Sequence, residues 1–194
     1  MIDLNPALDE RDIYPLVPIK DRWIFNKLEF SERAGYRCGV SGVPLTVPGV
    51  YCIRPIYNLA GMGDGGVMRW VFDGTNQPPQ IPGWFWCEWF NGYQEWVDFT
   101  DDLPVRWSGG NRTGRRLVLE DMKTEGATNS MPNQLQGFSK HMLIEFIGGK
   151  PIEAAPRHQN WLTGMENKID YFAREWADPY FGHETYFWKV VRKP

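Results

Sequence analysis

The sequence predicts an α+β domain dominated by strands, on three observations. Ten Trp, eight Tyr and eleven Phe stand among 194 residues, with 20 Gly and 15 Pro; large rings and many turn residues suit a sheet-rich fold whose core is filled by few, bulky side chains. Short apolar runs bounded by turn signals recur along the chain, and helical spacing is confined to a few stretches. The length suits one domain with a sizeable buried core, and the aromatic content excludes intrinsic disorder.

Residues 1–20, with Pro6, Pro15 and Pro18, are expected to form an extended N-terminal arm, and 21–194 a single domain. Asp21 is a candidate N-cap, and Trp23, Ile24, Lys27, Leu28 and Glu29 give helical spacing that stops at Gly35. Gly39 to Gly49 reads as loop. Val50–Ile56 and Val67–Phe72 read as a hairpin around a long loop holding Gly61, Gly63, Gly65 and Gly66. After the proline-rich turn Gln77–Pro82, Trp84–Phe90 and Tyr93–Phe99 are a strand pair with Asn91-Gly92 as a hairpin signal. Shorter strands are expected at Pro104–Trp107 and Arg115–Leu119, then a polar loop over 121–137 with one helical turn. His141–Ile147 and Pro151–Ala155 flank Gly148-Gly149. Trp161–Trp176 is expected to be helical and Tyr186–Val191 a closing strand.

Charge and cysteine usage narrow the function classes. Lys plus Arg total 21 against 24 Asp plus Glu, a formal charge of −3. No broad basic field for nucleic acid is present. No run of 18 uncharged apolar residues and no basic-then-apolar leader exist, which points away from a membrane and from ordinary secretion. Cys38, Cys52 and Cys87 lie far apart in the sequence without zinc-site spacing and read as reduced, buried thiols of a cytoplasmic protein.

Three constellations could carry chemistry. Arg54-Pro55 ends a strand just before the glycine loop; a guanidinium beside unobstructed backbone N–H groups suits phosphate oxygens, though the loop matches neither the Walker pattern nor the dinucleotide fingerprint. Its plain alternative is a long hairpin turn. Glu88 and Glu95 flank the turn Asn91-Gly92 between two aromatic strands, placed either to receive a base amino group and ribose hydroxyls or simply to face solvent. In the third, Glu145 and Glu153 lie on two strands around Gly148-Gly149-Lys150. A three-residue loop sets the two carboxylates opposite each other; a two-residue loop sets Glu145 against Ile152 and splits the acids between faces. Opposed carboxylates need a cation, and Mg²⁺ takes such oxygens beside phosphates.

Taken in order, these residues resemble the ATP-grasp superfamily. Arg54-Pro55 and Gly61–Gly66 are similar to its phosphate-binding cation and glycine loop. Glu88, Gly92 and Glu95 resemble its adenine- and ribose-reading hinge, and Glu145 with Glu153-Ala-Ala-Pro-Arg157 its metal-binding acids. The likeness spans about residues 20–160, and short cores of this kind resemble proteins encoded by bacteriophages. It implies two small sheet-based lobes, about 21–90 and 91–194, enclosing a nucleotide cleft. ATP would be bound by Arg54, Gly61, Gly63, Gly65, Gly66, Glu88 and Glu95, and Mg²⁺ by Glu145 and Glu153. Arg54 and Arg157 would be the catalytic cations that offset developing charge. A small-molecule or peptide carboxylate would become an acyl phosphate and then meet an amine or thiol, with a protein as a further partner. Two departures stand out: Ala155 replaces the usual metal-binding Asn, and no α/β substrate domain precedes the core. The competing class is a non-catalytic or virion-structural protein, with Trp84–Phe90 and Trp96 as an aromatic platform or, more plainly, as core. Hydrolysis through His141, His158 and His183 lacks a nucleophile motif.

Overall fold

The turn and strand signals resolve into eleven antiparallel strands in the computed structural model, which describes residues 1–57, 67–113, 116–123, 129–158, 170–177 and 185–192; residues 110–123 and the last two strands are described by backbone alone. In chain order they are β1 (Cys38–Val40), β2 (Gly49–Pro55), β3 (Val67–Phe72), β4 (Trp84–Glu88), β5 (Gln94–Thr100), β6 (Leu103–Thr113), β7 (Arg116–Lys123), β8 (His141–Ile147), β9 (Lys150–Ala155), β10 (Asp170–Ala177) and β11 (Thr185–Arg192). They form one sheet in the order β1-β4-β2-β3-β11-β10-β7-β6-β5-β8-β9. Helices α1 (Glu10–Ile13) and α2 (Lys27–Arg33) and two 3₁₀ segments, Ile19–Phe25 and Asn133–Leu135, complete it. Among the described residues no helix is long and apolar enough to cross a membrane.

Several expectations change. The helix starts at Lys27 because Asn26, not Asp21, caps it, its side chain accepting from Glu29 N at 3.0 Å. Trp84–Phe90 and Tyr93–Phe99 do not make a hairpin: β4 pairs with β1 and β2, and β5 with β6 and β8. Asn91-Gly92 is instead a crossing between two parts of the sheet. Ser108–Asn111, read as a break, lies inside β6, whose long ladder with β7 carries the glycines. The expected helix Trp161–Trp176 fails over its last seven residues: β10 pairs residue for residue with β11, and the Tyr, Phe and Trp there favour strands. Residues 159–169 lie outside the described part.

Two apolar clusters hold the sheet. One packs Tyr51, Ile53, Met68, Trp70, Phe72 and Leu45 with Trp84 and Trp86. The other joins Val97, Phe99, Met142, Ile144 and Phe146 to Ile13, Val17, Ile24, Phe25 and Phe30. Residues 1–20, expected as an extended arm, contribute Ile13 and Val17 to this cluster, both fully buried. Helix α2 packs against β1, β4 and β9, so it bridges the two ends of the sheet order.

The start of the chain is also pinned. Ile2 N donates to Phe138 O at 3.0 Å, Lys140 N to Ile2 O at 2.8 Å and His158 N to Pro6 O at 3.0 Å. Beneath it the rings of His141 and His158 stand 4.8 Å apart, each 3.2 Å from Thr100 Oγ1. Burial, then the neighbouring imidazole, holds His141 below its ordinary value; burial does the same to His158 despite the Phe99 carbonyl. Groups held low in the fold take up protons more readily when unfolded, so they contribute stability above about pH 6.5 that is lost as pH falls through the lowered values. Urea midpoints from about pH 7 to 5.5 should fall in the native protein and fall less in His141→Asn/His158→Gln. Equal slopes would contradict this.

Turn geometry sets the register of the β8–β9 hairpin. Gly148 and Gly149 have φ of 58° and 77°, a two-residue turn of the type glycine permits. Gly148 also meets the crossing at Gly92, where a Cβ on Gly148 would lie 2.4 Å from Asn91 O and one on Gly92 would lie 2.7 Å from Gly148 Cα. Gly35 closes α2 in the same left-handed region with open space around it. Gly35→Ala should cost about 1 kcal/mol of strain and Gly148→Ala about 2–3 kcal/mol, because backbone must also move. Urea unfolding of both variants checks the difference.

Candidate functional site

The bulge in the hairpin decides where the acids fall. Ile147 opposes Lys150 and Phe146 opposes Pro151, after which Ile152 is extra and Glu145 pairs directly with Glu153. The loop is thus the two-residue one, and the bulge restores the opposition that a three-residue loop would have given. A bulge leaves a carbonyl outside the ladder, and Arg54 Nη2 takes the Ile152 carbonyl at 3.0 Å. That bond ties the end of β2 to the edge strand β9.

Lys27 opens α2 and reaches the same place. Its backbone N–H donates to Ile56 O at 2.9 Å, just beyond β2. Its Nζ lies 2.8 Å from Glu153 Oε2, and Arg54 Nη1 lies 3.9 Å from the same oxygen. The Arg54 guanidinium is 5.5 Å over the Phe85 ring, and its Nε is buried without a hydrogen-bond partner among the described residues. Glu145 accepts from Gln94 Nε2. Behind these, Arg157 Nη2 meets Glu10 Oε1 at 2.8 Å, and Arg157 Nη1 donates to His158 O at 2.9 Å. Arg157 Nε, like that of Arg54, is buried and has no hydrogen-bond partner among the described residues. A small cavity beside the cluster is lined by Glu10, Ile24, Phe25, Lys27, Phe30, Glu153 and Ala154.

The result is a belt of three cations, Lys27, Arg54 and Arg157, interleaved with three carboxylates, Glu10, Glu145 and Glu153. Burial opposes the charge on Glu153, but Lys27 and then Arg54 outweigh it and hold the carboxyl below its usual range. Glu10 moves the other way. Burial, reinforced by the Glu153 charge, raises it despite Arg157 at contact distance. The two carboxyls are thus pushed in opposite directions, Glu153 toward the anion and Glu10 toward the acid.

Of the residues read from the sequence, Arg54, Glu145, Glu153 and Arg157 stand in this belt or beside it. Glu88 and Glu95 sit on β4 and β5, strands that do not pair. Glu88 holds the Arg37 guanidinium at 3.6 Å, and Glu95 is buried and accepts from Asn129 Nδ2. Gly61, Gly63, Gly65 and Gly66 lie outside the described residues. Lys27, read only as part of a helix, and Glu10 and Gln94 were not among the site residues the sequence suggested. Lys27 had a signal: a cation at the first position of a helix opposes the positive end of the macrodipole and calls for an anion nearby. In the aromatic run Phe85 is fully buried and Trp84 and Trp86 pack half-buried on the first apolar cluster, while Trp89, Phe90 and Trp96 are half-buried as well.

Among the described residues no group of three His, Cys, Asp or Glu side chains is placed to hold a metal ion. Glu145 and Glu153 can supply two oxygen ligands, with Lys27 already on one oxygen of Glu153. That donor set fits a divalent ion carried in with phosphates, which supply the remaining oxygens, and not a resident all-protein site.

No protein-family model matches the chain, and no curated protein matches it. Among solved structures, the chain is similar to the crystal structure of a protein from Archaeoglobus fulgidus provisionally assigned to the ATP-grasp superfamily, with 10% identity and a TM-score of 0.43 over 90% of this chain and 66% of that one. This chain thus spans about two thirds of that protein's length, and likeness so loose carries no functional argument.

Proposed function

We propose that the belt at the junction of α2, β2, β8 and β9 binds the phosphates of a nucleotide together with Mg²⁺. The observation that carries this is the convergence of Lys27 Nζ and Arg54 on Glu153, directly opposite Glu145. Cations and carboxylates placed together like this can part to admit phosphate oxygens and a divalent ion in one event. Glu145 and Glu153 would hold the ion, which supplies Lewis-acid neutralisation of phosphate charge when bound. Lys27 would swing from Glu153 to a phosphate oxygen. Arg54, fixed by the Ile152 carbonyl, would present its remaining N–H groups without rearranging.

The resemblance of the motifs to the ATP-grasp superfamily extends this to ATP, and to joining a carboxylate to an amine or thiol through an acyl phosphate. In that extension a substrate carboxylate oxygen bonds to the γ-phosphorus as ADP leaves, and the nucleophile then displaces phosphate. Arg157 is anchored by Glu10 and lies behind Glu153 from this site, so its role would be electrostatic.

Thermal unfolding with Mg²⁺ plus ATP, ADP or GTP, each against Mg²⁺ alone, tests the reading. Ligand at 100 times its dissociation constant adds about 2.7 kcal/mol, a shift of several degrees for a chain of this size. The shift should vanish in Lys27→Met and in Arg54→Ala. No shift at millimolar nucleotide would refute the site, and equal shifts for all three would remove the adenine preference.

A further inference from the structure

The three cysteines are scattered in sequence, yet strand register gathers them into one row. Cys38 on β1 is the direct partner of Cys87 on β4, and Cys87 is the direct partner of Cys52 on β2. Direct partners in an antiparallel ladder point to the same face. That face lies under α2, which packs on β1 and β4. All three thiols are free.

The two pairs are not equivalent. Glu88 N donates to Arg37 O and Ser41 N to Trp84 O, which places Cys38/Cys87 at a non-hydrogen-bonded pair between them. Trp89 N donates to Val50 O and Ile56 N to Gly83 O, which places Cys52/Cys87 at a hydrogen-bonded pair. Side chains approach closer at the former, with Cα atoms about 4.5 Å apart against about 5.5 Å. Both separations lie within the span a disulfide needs, but the shorter Cβ distance favours the first. Cys38 and Cys52 are both half-buried, but Cys38 sits on a three-residue edge strand that can adjust, whereas Cys52 lies in the middle of a ladder.

We propose that Cys38 and Cys87 are a modification site, closing to an intramolecular disulfide in exchange with a low-molecular-weight disulfide. The Cys38 thiolate attacks one sulfur of the small disulfide and expels one small thiolate. The Cys87 thiolate then attacks the Cys38 sulfur and expels the second. Two protein thiols are oxidised, one small disulfide is reduced to two thiols, and both protons pass to them. Cys52 stays reduced. The bond fastens the edge strand β1 to β4 on the face that also carries Arg54, two residues along β2 from Cys52.

Closure is slow by construction. Burial, then the charges of Glu32 and Glu88, pushes the Cys38 thiol up to about 11, and burial takes Cys87 up to about 12 despite Arg54. Only a small thiolate fraction exists near neutrality, so the rate should rise about tenfold per pH unit between pH 7 and 9.

The folded protein is equilibrated with excess oxidised glutathione, alkylated, digested and mapped by mass spectrometry, with dithiothreitol-treated protein as reference. Two of the three alkylatable thiols of the native chain should be lost, as should both thiols of Cys52→Ser, each with a cross-linked peptide pair containing Cys38 and Cys87. Cys38→Ser should lose that cross-link and keep the native melting temperature in dithiothreitol. A Cys52–Cys87 bond in the native chain, or three alkylatable thiols at equilibrium, would overturn the proposal; the native chain alone decides both.

Discussion

Glu153→Gln is expected to unfold at the lowest denaturant concentration of any single substitution in the charged belt. Two buried cations share this carboxylate, Lys27 at 2.8 Å and Arg54 at 3.9 Å. A glutamine keeps the shape and one acceptor but no charge, leaving an ammonium at a positive helix terminus and a guanidinium that already has one N–H without a partner among the described residues. Breaking such a pair from one side costs about 3–5 kcal/mol, or roughly 10 °C in a chain of this size. Adding Lys27→Met removes one of the stranded cations, so the double variant should recover part of the loss. The native protein should keep this contribution down to unusual acidity. A carboxyl held low in the fold contributes stability above about 4.5 that is lost only as pH falls through its depressed value. Urea titration of the single and double variants measures the coupling; a loss under about 1 kcal/mol for Glu153→Gln would mean that water, not Glu153, compensates Lys27 and Arg54.

The same belt shows what a sequence reveals and what it hides. Local signals were legible: Gly148-Gly149 as a turn, the strands on either side, the β2–β3 pair, and acidic or basic residues at strand ends. Pairing across the chain was not. Asn91-Gly92 has the composition of a hairpin turn, but Gly92 sits against Gly148 and the strands flanking it join different partners. Turn propensity acts over four residues, whereas the choice of partner strand is made by burial of whole faces. The opposition of Glu145 and Glu153 turned on the extra residue Ile152, which no spacing rule contains. The cysteine row and the Lys27–Glu153 bridge have the same origin, long-range register that only the folded sheet supplies. Asp170–Ala177 illustrates the reverse case. Its aromatic residues carried strand propensity, but the longer periodic pattern suggested a helix, and the eight-residue ladder with β11 prevails.

Arg157→Met and Glu10→Gln break one ion pair from opposite sides and should not behave alike. The pair is buried, with each side chain 9% exposed and the charged atoms 2.8 Å apart. Either change strands a buried charge at a cost of about 3 kcal/mol near neutral pH. Glutamine at position 10 leaves Arg157, which cannot shed its proton, so that cost should stay constant with pH. Methionine at 157 leaves Glu10, which burial and the Glu153 charge already raise above its usual value. With Arg157 gone, no cation among the described residues is ion-paired with Glu10, and Glu10 can escape the penalty by taking up a proton. The folded variant then binds more protons than the unfolded chain between about 4.5 and the raised value, so its stability rises as pH falls through that value. Urea midpoints at about pH 7.5 and pH 5, taken relative to the native protein at each pH, should show the Arg157→Met deficit shrinking severalfold while the Glu10→Gln deficit holds. Equal deficits for Arg157→Met at both pH values would mean that Glu10 remains ionised without its partner, and that Lys27, next in order of influence on it, carries the compensation instead.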